Sequence, residues 1–169
     1  MNPQLKVTIR RNAKIITYPF TNYFKEFDKV EAVQHLFGEK TEEVLNGIKV
    51  TFYGRVGYMG VSSDNGNIRI SAHYMKNGDL RDIYLDIIHE LVHVKQFMEG
   101  KELRDRNFMY VERPTEIEAY RYAVEEAKRL GMDDKEILEY LKTEWISKEN
   151  LMSLVKIVNI NVDKISEKN

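Results

Sequence analysis

His89, Glu90 and His93 stand in the segment His89-Glu90-Leu91-Val92-His93, which is the pattern H-E-x-x-H. Residues four apart on a helix lie on one face, one turn from each other. Two imidazole nitrogens can then meet a single zinc ion at about 2.0–2.1 Å. The glutamate beside the first histidine is not a ligand in this pattern. It is placed to take a proton from a water on the metal. The segment supplies two metal ligands and a general base, and it leaves one ligand to be found.

A second helix reads from Thr115 to Leu130, opened by Arg113-Pro114-Thr115-Glu116-Ile117-Glu118-Ala119-Tyr120 and stopped by Gly131. On a helical wheel Glu116 falls beside Tyr120, Ala123 and Ala127, the apolar side. Glu118 falls with Arg121, Glu125 and Arg129, a solvated side. Thr115 and Glu118 also form the capping-box pattern T-x-x-E, which gives Glu118 a structural task. Glu116 is the favoured third ligand and Glu118 the alternative. An ordinary first-turn acid, held by the helix dipole, is the plain reading of either.

The elements that must carry these side chains can be read from periodicity. From Arg81 to Glu99, Ile83, Ile87, Leu91, Val94 and Met98 share one side, and Leu85, Ile88 and Val92 widen it. Only a narrow stripe of Asp82, Asp86, His89, Glu90, His93 and Gln96 stays polar. Such a helix is a buried one, and its polar groups need partners. Gln96 is a candidate to orient the ligands by hydrogen bonding, and so are Asp82 and Asp86. Upstream, Ile48–Phe52, Tyr58–Ser62 and Ile68–Ala72 read as strands, with Asp64-Asn65-Gly66-Asn67 as a turn. Val7–Ile16 reads as a strand or hairpin, and Asn22–Phe37 as one amphipathic helix capped by Thr21 and stopped by Gly38. Residues 101–113 form a charged loop that borders the cleft. Two more helices, 133–145 and 147–160, start at the caps Asp133 and Ser147. Residues 163–169 are polar and read as frayed.

H-E-L-V-H followed by P-T-E-I-E-A-Y resembles the gluzincin clan of zinc metallopeptidases, and the small size is similar to that of the archaeal minigluzincins. The resemblance covers about residues 50–130. It implies a zincin-like fold, a zinc ion held by His89, His93 and a glutamate on the later helix, and Glu90 as general base. It also implies that the strand before the motif helix, here Ile68–Ala72, is the upper edge of the cleft and binds an extended peptide by strand addition. A metzincin is excluded, because no glycine and third histidine follow His93 at the short spacing of that clan. One departure stands out: where larger gluzincins often carry an acid one turn after the ligand glutamate, this chain has Tyr120. Donors for the developing oxyanion can be sought among Tyr110, Tyr120, Tyr122 and His73, although a packing residue with a satisfied polar tip is the favoured reading of each. His35 reads as a core or helix-end residue.

Composition bounds the rest. The chain has 169 residues, enough for one domain with a sizeable core. The net charge of −1 gives no sign of a nucleic-acid surface. There are no cysteines, hence no disulfide and no thiolate metal site. No segment approaches the roughly eighteen apolar residues of a membrane span. Met1–Lys6 lacks an apolar signal core, so a cytoplasmic protein is expected. The expectation is a single α+β domain over 1–169, with a small antiparallel sheet on an active-site helix and a mostly helical C-terminal part. Its parts are 1–79, 80–130 and 131–169. Its function is expected to be zinc-dependent hydrolysis of a peptide or protein substrate, with one Zn2+ per chain. The alternatives are a silent or latent zinc-binding module of the same fold and a helical interaction protein in which H-E-x-x-H is a chance match; a latent peptidase, its cleft filled by residues 1–11 or 163–169, is a form of the main reading.

Overall fold

A computed structural model describes residues 4–163 and shows an α+β protein. Short strands β1 (Thr8–Ile9) and β2 (Thr17–Pro19) lead to helix α1 (Phe20–Tyr23), strand β3 (Phe24–Lys25), a 3-10 turn at Phe27–Lys29, and helices α2 (Glu31–Phe37) and α3 (Thr41–Gly47). Strands β4 (Lys49–Tyr53), β5 (Met59–Val61) and β6 (Ile68–Ser71) follow. Helices α4 (Ala72–Asn77), α5 (Leu80–Met98), α6 (Pro114–Arg129), α7 (Asp134–Leu141) and α8 (Lys148–Ile157) complete the described chain.

Asn22–Phe37 is not one helix. Glu26 takes a left-handed backbone at φ 64° and breaks it, after which α2 starts at Glu31. The apolar spacing that suggested a helix instead stacks Phe20, Phe24 and Phe27 into a buried aromatic cluster with ring centroids 4.8–6.0 Å apart. Residues 7–16 contain no hairpin. β1 pairs with β3, and β2 pairs with β4, because the chain runs on rather than turning at Arg10–Asn12.

The main sheet has the order β2-β4-β6-β5 and is mixed rather than antiparallel. The loop after β4 carries the chain past the sheet to its far edge. β6 then returns between β5 and β4, antiparallel to the first and parallel to the second. The edge strand is therefore Met59–Val61, and Ile68–Ser71 lies inside the sheet. The Ser62–Asn67 turn uses Gly66 at φ 73°, a conformation open to glycine. Phe97 packs against this glycine so closely that a Cβ there would lie 2.5 Å from its ring.

Helix α5 runs for 19 residues, capped by the Asp79 side chain, which accepts from the Arg81 and Asp82 amides. Ile83, Leu85, Ile87, Ile88, Leu91, Val92 and Val94 are all buried on it, as its periodicity requires, but Met98, the last residue of the expected apolar side, is exposed at the helix end. It packs on α6, α2 and β5. The Asp133 capping box of α7 and the Ser147 cap of α8 are present. The helix expected over 133–145 ends at Leu141, and the chain from Lys142 to Ser147 is a loop carrying Trp145. Of the residues expected to fray, only Asp163 lies within the described chain. Among the described residues no helix is long and apolar enough to cross a membrane.

Candidate metal centre

Pro114 at the first helical position starts α6 one residue earlier than the sequence pattern suggests. The N-cap is Arg113, and Thr115 forms no capping box. Thr115 Oγ1 is buried without a partner, and Glu118 points toward Lys101, at 3.7 Å. Starting the helix there turns Glu116, in its first turn, onto the face that meets α5.

His89, His93 and Glu116 come together, each buried. His89 Nε2 and His93 Nε2 are 3.1 Å apart. Glu116 Oε2 is 3.1 Å from the first and 3.3 Å from the second. A tetrahedral ion with ligand bonds of about 2.0–2.1 Å sets its ligand atoms roughly 3.3 Å apart. The triangle therefore has the edge lengths of one face of such a site, and this group can hold a metal ion.

The three groups are strongly coupled to one another. Burial disfavours the charged form of Glu116, but hydrogen bonds from His89 and His93 outweigh it and hold the carboxyl well below its ordinary range. Burial also works against a charged His93, yet Glu116 and Glu90 raise it to about 9. Behind His93, Gln96 accepts from Nδ1 at 2.7 Å and donates to the Thr115 carbonyl at 3.0 Å.

Glu90 is buried beside the triangle, and burial raises its carboxyl above the usual value, against the pull of His93 and His89. Its Oε2 has no hydrogen-bond partner. A backbone hydrogen bond from Val61 ties the carboxylate to the edge strand β5. Glu90 and the triangle open on a cleft of about 360 Å3, walled by Met59–Val61, Tyr110, Arg104 and Arg113. The loop 101–113 thus borders the cleft.

Of the weaker candidates, Tyr110 lines the cleft and shares a 3.0 Å hydrogen bond with Tyr120, whose ring lies edge-on to His89 with centroids 4.5 Å apart. Burial raises both phenols, so both are neutral donors at ordinary pH. Tyr122 is remote and faces His35, an exposed residue of the last turn of α2. His73 is exposed on α4. Asp86 does not orient a ligand; it accepts from Tyr74 at 2.6 Å and Tyr140 at 2.8 Å. Arg11 donates to the Met75 carbonyl at 2.8 Å, and neither it nor its described neighbours from Gln4 on line the cleft. Arg104 and Arg113 reach the cleft from the loop expected to border it, whereas Tyr58 and Trp145 carry no local signal in the sequence that marks them as cleft residues. No family model, curated protein or solved structure matches the chain.

Proposed function

We propose that the protein is a zinc-dependent metallopeptidase of zincin-like architecture. The observation that carries this reading is the triangle of His89, His93 and Glu116 atoms at 3.1–3.3 Å beside a buried Glu90 carboxylate whose Oε2 has no hydrogen-bond partner. Two imidazoles and one carboxylate suit zinc by donor type. Zinc, when bound, supplies Lewis acidity that brings a water's pKa toward neutrality and polarises a carbonyl.

The residues of this chain do the remainder. Glu90 accepts the proton of the attacking water and returns it to the leaving amine, a task that its raised pKa favours. Its bond to Val61 fixes the carboxylate relative to β5. Tyr110, a neutral phenol on the cleft wall, donates to the oxygen that becomes negative as the carbonyl is attacked. The free edge of β5 offers main-chain groups to an extended substrate, which adds as a further strand.

The test is Glu90→Gln in zinc-loaded protein, assayed on a library of quenched peptides. Wild type cleaves, and the variant loses turnover while elemental analysis finds the same metal content. Undiminished cleavage by the variant rules the assignment out, and a metal-loaded wild type that cleaves nothing rules out the peptidase.

A further inference from the structure

Asp86 lies three residues before His89 on α5 and opens on a second cavity, of about 190 Å3, which adjoins the metal cleft across Glu90. That is the space of roughly six waters at about 30 Å3 each, enough for a long unbranched side chain. Tyr58, Met59 and Trp145 wall both cavities. The second is acidic, lined by Asp82, Asp86 and Glu139, and its one lysine, Lys142, is held by Glu139 at 2.9 Å.

Asp86 has neutral partners there, the hydroxyls of Tyr74 and Tyr140, one on each oxygen. A carboxylate has about four lone-pair sites, so each oxygen keeps an acceptor position. Burial pushes Asp82 and Asp86 up to about 6, the mark of desolvated carboxylates that a cation would stabilise. A second observation points to an occupant. Glu90 is 6% exposed, its Oε2 has no partner, and it lines this cavity as well as the cleft.

The outer edge of β5 gives a bound peptide its track, and an antiparallel guest is part of the proposal. The Tyr58 carbonyl and the Ser62 amide face the sheet, bonded to Ser71 and Asn67. By alternation, the groups of Met59 and Val61 face outward; the Val61 amide is taken by Glu90, which leaves the Val61 carbonyl and both groups of Met59 for a guest. A guest strand antiparallel to β5 runs from Val61 toward Met59 and Tyr58. Its carboxyl-side half then enters the second cavity.

We propose that this cavity receives the lysine or arginine side chain of the residue directly after the scissile bond, with Asp86 as its counter-charge. The proposal rests on the peptidase reading above. It makes the protein selective for substrates with a basic residue at that position.

Trp145 is the chain's only tryptophan and reports occupancy by fluorescence. The probes are acetylated, amidated hexapeptides that differ at one central position: lysine, norleucine or glutamate. Binding is titrated in zinc-loaded Glu90→Gln, with and without Asp86→Asn or Asp82→Asn, and cut sites are mapped with wild type by mass spectrometry. The lysine peptide is expected to bind at least tenfold more tightly than the norleucine peptide, with glutamate weakest, and the preference collapses in Asp86→Asn. Cleavage falls on the amino side of lysine. Equal binding of lysine and norleucine overturns the proposal even if Asp86→Asn does not fold. Cleavage without a basic preference overturns the proposal and leaves the peptidase standing. Preferential binding of lysine with no cleavage by wild type keeps the cation site and removes the peptidase. A preference for lysine that survives in both aspartate variants overturns the role of Asp86.

Discussion

Gln96 fixes the tautomer of His93. Its amide nitrogen donates to the Thr115 carbonyl at 3.0 Å, so the atom 2.7 Å from His93 Nδ1 is the amide oxygen, an acceptor. In its neutral form His93 therefore carries its proton on Nδ1, which leaves Nε2 bare for an ion. The same side chain ties α5 to the first turn of α6, the turn that carries Glu116. Gln96→Leu removes both restraints and leaves the buried His93 Nδ1 without a partner. Zinc affinity is expected to fall about 10- to 100-fold with the ion still bound at saturation, and the metal-free protein to lose about 1–3 kcal/mol of stability. Competition against a fluorescent zinc chelator and urea unfolding check the two parts.

Glu116 and Glu118 separate cleanly. Glu116→Ala removes one corner of the ligand triangle and is expected to strip the purified protein of tightly held metal, as His93→Ala does. Glu118→Ala breaks only a 3.7 Å surface pair with Lys101 and leaves metal content at wild-type level. Elemental analysis of the three variants decides the ligand set. Metal lost from Glu118→Ala and kept in Glu116→Ala would reverse it.

If Tyr110 donates to the oxyanion, Tyr110→Phe lowers kcat by about 100-fold with little change in KM, since the bond forms only as charge develops. Tyr120→Phe removes a partner of Tyr110 rather than the donor, so its effect is smaller. Steady-state kinetics on one peptide compare them. A KM effect without a kcat effect assigns Tyr110 to ground-state binding.

Asp86 sets a pH dependence of stability. Its folded pKa, pushed up by burial to about 6, lies above the unfolded value of 3.8. The native state then binds more protons between those values. This contribution is fully present below about pH 4 and is lost as the pH rises through about 6. Its size is at most about 2–3 kcal/mol, from roughly 1.4 kcal/mol per pKa unit. Asp86→Asn cannot titrate, so the stability difference between variant and wild type shifts in the variant's favour from pH 4 to pH 7. Urea unfolding of the metal-free proteins across that range measures it, and a difference that stays flat contradicts the raised pKa.

The His89, His93 and Glu116 cluster was legible in the amino-acid sequence because its geometry is local. His89 and His93 are one helical turn apart, and a wheel separates Glu116 from Glu118 without knowledge of the fold. Helix α5 was legible for the same reason: its apolar face is continuous. The aromatic run at Phe20, Phe24 and Phe27 has helical spacing too, but a left-handed Glu26 and tertiary stacking overrode it. Strand order was not legible, since β6 inserts between β4 and β5 by the path of a loop and not by any pattern within the strands. Nor were the partners of Asp86, which lie 12 residues before it and 54 after it in the chain. The start of α6 was misjudged by the pull of the T-x-x-E pattern against Pro114 at the first helical position.

The two ends of the ligand set, His89 and Glu116, are 27 residues apart. An ion held between them closes that stretch into a ring, as a removable cross-link would, and restricts the loop the more for closing it. The cleft wall at 101–113 lies inside the ring. If the proposed ion is bound, chelating it would remove a chemical centre and a mechanical tether in one step. The first sign of metal loss would be trypsin nicking at Lys101, Arg104 or Arg106 while α5 is still folded, so scissors supplied from outside would reveal how tightly the knot was tied.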